Sequence, residues 1–189
     1  MLVGNLLLNC VRESGDHGPF NSWDRVPYVT TVRDGATPSV VPATREIAAN
    51  FIIGTYSSQV AIDNDDGSAY YSTHDNLLAY ASLGLKSDFG GHDNAHARNV
   101  YAYVGACFGQ GHRDAFVNNS CVVNAPSGGF DSDCDDALAP GMRVSGNAVY
   151  NEAGDFGRVR ICDATNTVAP WPSDDELIAM GRAKLDFGA

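Results

Sequence analysis

The sequence predicts an all-β parallel solenoid, in which short strands stack as successive turns of a coil. An asparagine followed by apolar residues recurs at Asn5, Asn50, Asn76, Asn99, Asn119, Asn147 and Asn166. The successive spacings are 45, 26, 23, 20, 28 and 19 residues. The apolar runs are short, rich in Val, Ile, Leu and Tyr, and bounded by Gly, Asn and Asp, which disfavours helical repeats. An antiparallel sandwich is the alternative, but the runs lack hairpin dipeptides between them.

Asparagine suits the corners of such a coil for two reasons. It tolerates left-handed backbone angles, and stacked asparagine side chains can hydrogen-bond along the stack. The first spacing, of 45 residues, holds either two coils or one coil with a long excursion, whereas the others fit single coils. We expect the solenoid to span residues 1–172, with an excursion at about residues 12–45.

A short helix is predicted after the solenoid, at residues 173–186. Ser173 and Glu176 have the spacing of a capping box, and apolar residues at helical spacing follow them. We expect this helix to close the last coil and to hide the edge of the sheet. The apolar run at residues 2–8 has no preceding cap, so we expect the chain to be the C-terminal part of a longer protein.

Composition argues against two classes of partner. The chain has 12 basic and 23 acidic side chains, and its net charge of −11 disfavours nucleic acid, because phosphate contacts need clustered Lys and Arg. It has no apolar run of about 18 residues, so a membrane-spanning helix is not expected.

Five cysteines occur, and none has the CxxC spacing of a zinc site. Cys107 and Cys121 could meet across a coil, and Cys134 could meet Cys162. Cys10 would then be left over. Buried free thiols are the alternative.

Two aspartates occupy the same column of the predicted coil. Asp65 lies 11 residues before Asn76, and Asp88 lies 11 residues before Asn99. Neighbouring strands lie about 4.8 Å apart, so the two carboxylates would be close enough to share a substrate. Like charges at that distance favour one ionised and one protonated group, which is what cleavage of a glycosidic bond requires.

Asp65 belongs to the polar segment at residues 61–68, in which Asp66 is a second candidate catalytic residue. Aligning this segment with an EF-hand loop places Ile62 at the first ligand position, so that motif is absent. We expect no cofactor, with a calcium site of another type or a simple Asx turn as alternatives. Three histidines without metal-binding spacing are expected in turns or walls: His74, His96 and His112.

Two further clusters supply candidate substrate-binding residues. Lys86, His92 and Asp93 surround glycines one coil after Asp65, and a salt bridge among turn residues is the alternative interpretation. The second cluster combines acids and amides with aromatic rings, on which the C–H faces of sugars stack. Its candidates are Glu13, Asp16, His17, Trp23 and Asp24, although Trp23 could instead pack in the core.

Four segments resemble the right-handed parallel β-helix proteins of the pectate-lyase-like superfamily: residues 13–25, 62–68, 84–86 and 169–175. They are most similar to β-helical glycoside hydrolases of the xylosidase and fucosidase type. The resemblance implies that Asp65 is the nucleophile, with Asp66 as second choice, and that Asp88 is the acid/base. Relatives commonly carry Glu after Gly-Leu-Lys, where this chain has Ser87 and Asp88.

Three functions are compatible with these residues. The first is a glycoside hydrolase with a carbohydrate substrate, secreted or extracellular in the full-length protein. The second is a polysaccharide lyase or epimerase, in which Lys86 abstracts a proton beside a uronate, often with calcium. The third is a non-catalytic carbohydrate-binding or surface protein.

Overall fold

The protein is a parallel β-helix in which three parallel sheets run along the coil, and this confirms the predicted all-β solenoid. The computed structural model describes residues 1–11, 15–23, 44–53, 59–87, 91–109, 111–124, 141–155 and 163–185. In the first four coils the strands belong to sheet A, sheet B and sheet C in that order, and the described residues of the later coils contribute strands to sheets A and B. Every pair of neighbouring strands is parallel.

The strands of each sheet come from successive coils. Sheet A contains β1 (Leu2–Val3), β4 (Arg45–Ala48), β7 (Tyr71–His74), β10 (Ala95–Ala97), β13 (Ala115–Val117) and β15 (Arg143–Ser145). Sheet B contains β2 (Leu6–Leu8), β5 (Phe51–Ile53), β8 (Leu77–Ala79), β11 (Val100–Val104), β14 (Ser120–Val123), β16 (Ala148–Asn151) and β17 (Thr167–Pro170). Sheet C contains β3 (Phe20–Trp23), β6 (Val60–Asp65), β9 (Leu83–Ser87) and β12 (Ala106–Gly109).

The repeating asparagines form one hydrogen-bonded ladder at the corner between sheets A and B. The Oδ1 atom of Asn76 accepts from the backbone N–H and from the side-chain amide of Asn50, each at 2.9 Å. The same pair of bonds recurs at every step of the series from Asn5 to Asn166. At six corners the residue before the asparagine has a positive φ, as at Ala49 (52°). The expectation that the ladder asparagines themselves take the left-handed angle is therefore wrong, and their part in the corner is the hydrogen bonding along the stack.

The long first spacing is a single coil. Asn5 bonds directly to Asn50, and β2 pairs with β5, so no other coil lies between them. Residues 12–14 and 24–43 of the expected excursion lie outside the described residues. The segment Phe20–Trp23, which also falls within the expected excursion, forms strand β3 and pairs with β6.

Three rows of inward side chains fill the coil. In sheet A the row is Ile47, Thr73, His96, Phe116 and Val144. In sheet B it is Ile52, Leu78, Tyr101, Cys121 and Val149. In sheet C it is Phe20, Ile62, Leu85 and Phe108. Aromatic rings link the sheets, since Phe108 stacks on Phe116 with ring centroids 4.2 Å apart.

A disulfide joins sheet C to sheet B within this core. It links Cys107 and Cys121, as the sequence suggested, and Cys10 is a free thiol. Cys134 and Cys162 lie outside the described residues.

The predicted C-terminal helix is α1, Asp174–Arg182. Its capping box is present, because the Ser173 side chain accepts from the Glu176 N–H while the Glu176 side chain accepts from the Ser173 N–H. The C-terminal end of α1 lies against the outer side of sheet B: a Cβ at Gly181 would lie 3.0 Å from Leu77 of β8. This end of the helix therefore packs on the wall of an earlier coil and not over the edge strand β17, where it was expected. Within the part of the chain that the structure describes, no helix has the length and apolar character needed to cross a membrane.

Candidate functional site

The two acidic residues of β6, Asp63 and Asp65, line the outer face of sheet C. Successive side chains of a strand point to opposite faces, and Ile62 is part of the core. Asp63 and Asp65 therefore lie on one face, away from Ile62. Register places Asn21 on one side of Asp63 and Lys86 on the other.

Lys86 lies between two carboxylates. Its ammonium is 3.1 Å from Asp63 Oδ1 and 3.4 Å from Asp65 Oδ1. The other oxygen of Asp63 accepts from the side-chain amide of Asn21 at 3.1 Å. Burial raises the pKa of Asp63, with the Asp65 charge adding to the effect, although Lys86 opposes it. The side chain of Asp63 has no exposed surface, and it contacts Lys86 and Asn21.

Trp23 stands beside Asp65 on the neighbouring strand. The two residues are partners in the register of β3 and β6. The indole is 59% exposed, and its Nε1 donates to Asp66 Oδ2 at 3.1 Å. The side chain of Asp65 is 16% exposed. An aromatic ring tethered in place therefore borders an accessible carboxylate, and Trp23 is not the core residue that the alternative interpretation required.

Buried polar side chains hold the turn that follows β6. The Ser22 hydroxyl donates to Ser68 Oγ at 2.9 Å and also lies 3.2 Å from Asn64 Oδ1. The backbone N–H of Asp66 donates to Asp65 Oδ1 at 3.0 Å. These contacts involve residues on both sides of Asp65, and one of them binds its carboxylate directly.

One cluster of side chains has the composition of a cation site. Ligand atoms of His17, Asp63 and Asp65 all lie within 4.8 Å of one another. An imidazole with two carboxylates suits a divalent ion. The ammonium of Lys86 already contacts both carboxylates, however, so a metal ion would have to compete with it.

His92 and Asp93, predicted to bind substrate, belong to a salt-bridged corner between sheets C and A. Asp93 accepts from His92 Nδ1 at 2.6 Å and from Arg113 at 2.7 and 3.1 Å. Burial alone would raise the pKa of Asp93, but the hydrogen bonds from Arg113 and His92 lower it. His92 is buried. These contacts match the alternative interpretation of salt-bridged turn residues.

The other predicted residues are distributed as follows. Asp16 is exposed just before β3, and His17 lies 3.4 Å from the amide nitrogen of Asn21. Three predicted residues lie outside the described part of the chain: Glu13, Asp24 and Asp88. The register that pairs Asn64 with Ser87 has the predicted offset of 23 residues. The separation of Asp65 and Asp88 stays a prediction.

Asp63 and Asn21 are members of the site that the sequence did not single out. A signal for Asp63 was present in the alternation of Ile62, Asp63, Asn64 and Asp65, which puts both acids on one face of a strand. No such signal exists for Asn21, because its contact with Asp63 crosses 42 residues.

Comparison with known proteins gives no relative of this chain: no family model matches it, and neither a curated protein nor a solved structure does. The side chains on sheet C are therefore the basis for assigning a function.

Proposed function

We propose that this protein is carbohydrate-active, a glycoside hydrolase in which Asp65 is one of two catalytic carboxylates. The observation that supports the proposal most directly is the exposed ring of Trp23 beside the Asp65 carboxylate. Sugars present C–H faces that stack on indole rings, and their hydroxyls donate to carboxylates. The resemblance of residues 62–68 and 84–86 to β-helical glycoside hydrolases points to the same chemistry.

The second carboxylate is the predicted acid/base Asp88. Asp88 follows Asp65 by 23 residues in the sequence, which is the offset of the register between Asn64 and Ser87. Adjacent parallel strands give a separation near the approximately 5–5.5 Å of retaining glycosidases. Asp63 is less suited to this role, because its carboxylate is buried and paired with Lys86.

The proposed reaction proceeds in two steps. Asp65 attacks the anomeric carbon while Asp88 protonates the departing glycosidic oxygen, which yields a covalent glycosyl-enzyme. Asp88 then takes a proton from water as that water attacks the anomeric carbon, and Asp65 is released. Lys86, anchored by the buried Asp63, holds the Asp65 carboxylate in line for the attack.

A lyase or epimerase fits these contacts less well. Its base must be unprotonated to abstract a proton, and Lys86 was the candidate. The Lys86 nitrogen lies within 3.4 Å of two carboxylates, so both ion pairs would have to break before it could reach a proton of the substrate. Hydrolysis needs no proton acceptor at Lys86, so the ion pair is compatible with it.

Release of reducing ends from a panel of plant, algal and microbial polysaccharides tests the proposal. We expect Asp65→Asn to lower turnover at least about 1,000-fold, because it removes the nucleophile, while circular dichroism shows an unchanged fold. Asp175→Asn is the matched control, since it makes the same change at an exposed position on α1. Full activity of Asp65→Asn, or products with the ultraviolet absorbance of an unsaturated sugar, would contradict the hydrolase.

A further inference from the structure

The charges around Asp65 bear on which glycans the site accepts. We propose that it accepts uncharged glycans and excludes those that carry carboxylate or sulfate groups. This inference rests on the proposed function, because it concerns the same site.

Among the residues that the structure describes, acidic groups outnumber basic ones at the site. Asp63, Asp65 and Asp66 supply three carboxylates, and Lys86 is the ammonium that lies against the first two. The Asp66 carboxylate lies at the indole itself, since its Oδ2 accepts from Trp23 Nε1 at 3.1 Å. A uronate or sulfate bound next to Trp23 would therefore meet charges of its own sign, and such contacts are strongly unfavourable in a partly desolvated site.

Lys86 is poorly placed to serve as the counter-ion for an anionic sugar. Its side chain is 11% exposed, and its ammonium contacts a carboxylate with no exposed surface. Turning Lys86 toward a ligand would leave Asp63 buried without its cation, which is costly. The ion pair is therefore part of the protein's own structure.

Several other cations in the described residues have partners elsewhere. The Arg98 guanidinium binds Asp75, and that of Arg113 binds Asp93, both at 2.7 Å. Arg45 donates to the carbonyl oxygen of Ala69 at 3.0 Å. The net charge of −11 adds a long-range field of the same sign as the site.

An uncharged sugar meets none of these penalties. Its C–H face can cover the exposed indole of Trp23, and its hydroxyls can donate to Asp65, which accepts hydrogen bonds when ionised. The acidic surroundings then favour binding, because every hydroxyl is a donor and every carboxylate an acceptor.

Matched pairs of glycans test the proposal. Each pair consists of a neutral polymer and a charged form of the same backbone: galactan and mannan before and after oxidation of their C6 hydroxyls, and homogalacturonan with and without methyl esters. Affinity electrophoresis measures binding, and reducing-end release measures turnover, each in about 20 mM and 200 mM salt. For each pair that binds, we expect the affinity of the neutral member to be at least about tenfold higher than that of its charged partner at low salt. The difference should narrow at high salt, where charges are screened.

One variant separates charge from shape. Asp66→Asn retains an oxygen that can accept from Trp23 Nε1 but removes one negative charge. We expect it to improve binding of the charged members, relative to the neutral ones, about threefold or more. Asp175→Asn removes the same charge from α1 and should leave the ratio unchanged.

The outcomes distinguish this inference from the proposed activity. Tighter binding of neutral members without turnover would overturn the hydrolase and support the neutral specificity. Turnover or tighter binding of charged members, including binding that appears only with added calcium, would overturn the neutral specificity. Failure to bind any member would overturn both.

Discussion

The ammonium of Lys86 lies 3.1 Å from a carboxylate oxygen of Asp63, whose side chain has no exposed surface. A buried carboxylate that loses its cation is strongly destabilising. We expect Lys86→Met to lower the free energy of unfolding by about 3 kcal/mol, measured by urea denaturation at neutral pH. Because the side chains of methionine and lysine have similar lengths, the measured loss of stability reflects the missing charge and not a change in packing.

The double variant Lys86→Met with Asp63→Asn is the control for this effect. It removes both charges and keeps an amide oxygen that can accept from Asn21. We expect it to recover most of the lost stability, because the buried charge is gone. Equal unfolding midpoints for Lys86→Met and the wild type would show that the ion pair does not stabilise the fold.

The repeating features of this fold were predictable from the sequence because they are local and recur. Each corner asparagine is followed by a short apolar strand, so the seven positions specify the ladder and its order. The capping box of α1 is equally local, since Ser173 and Glu176 lie three residues apart.

The candidate site was predictable only in part. Asp65, Trp23 and Lys86 stand together on sheet C, yet their contacts connect coils with different loop lengths. The register across the excursion joins Trp23 to Asp65 over 42 residues, and no periodicity fixes an offset of that length. For the same reason no signal for Asn21 was present in the sequence. The alternation of side chains between the two faces of β6 did contain a signal for Asp63.

The asparagine ladder should stabilise each coil against the next. Asn99 accepts from the Asn76 backbone and side chain, and it donates to Thr73 O and Asn119 Oδ1. Asn99→Ala breaks these bonds and leaves buried polar groups without partners. We expect a loss of about 3 kcal/mol or more in the free energy of unfolding, measured by urea denaturation.

Asn5→Ala provides the comparison within the same ladder. Asn5 occupies the first step and is only partly buried, so water can replace its bonds. We expect a loss of about 1 kcal/mol or less. Equal losses at Asn5 and Asn99 would mean that burial does not set the contribution of a ladder bond.

The disulfide between Cys107 and Cys121 should stabilise the core through the chain that it closes. The two cysteines are 14 residues apart, and a loop of this length corresponds to about 3 kcal/mol in the chain-entropy model. We expect the double variant Cys107→Ala with Cys121→Ala to lose about that much in urea denaturation. Cys10→Ala, which removes a free thiol, should unfold like the wild type.

Asp114 should make the protein less stable as the pH rises. Burial raises the pKa of its carboxyl to about 7, although the Asn94 N–H, which donates to it at 2.7 Å, opposes the shift. The folded state therefore keeps a proton that the unfolded chain, with an ordinary pKa near 3.8, has lost. Stability from this group is complete below about pH 4 and is lost as the pH rises to about 7.

His96 should have the opposite effect. Burial lowers its pKa from 6.5 to about 3, and neither ring nitrogen has a hydrogen-bond partner among the described residues. As the pH falls below 6.5, the imidazole of His96 becomes protonated in the unfolded chain but stays neutral in the folded state. Stability from this group is complete above about pH 6.5 and is lost as the pH falls toward 3. The contributions of His96 and Asp114 therefore oppose each other between about pH 4 and 6.5.

Substituting either residue should leave only the pH dependence of stability that comes from the other. Relative to the wild type, we expect Asp114→Asn to gain stability on the order of 4 kcal/mol between pH 4 and pH 8, because each pKa unit corresponds to about 1.4 kcal/mol. His96→Leu should gain a similar amount as the pH falls from 7 to 4. Urea denaturation of both variants and the wild type at each pH gives these differences. A difference that does not vary with pH would show that the substituted group has the same pKa in the folded and unfolded states.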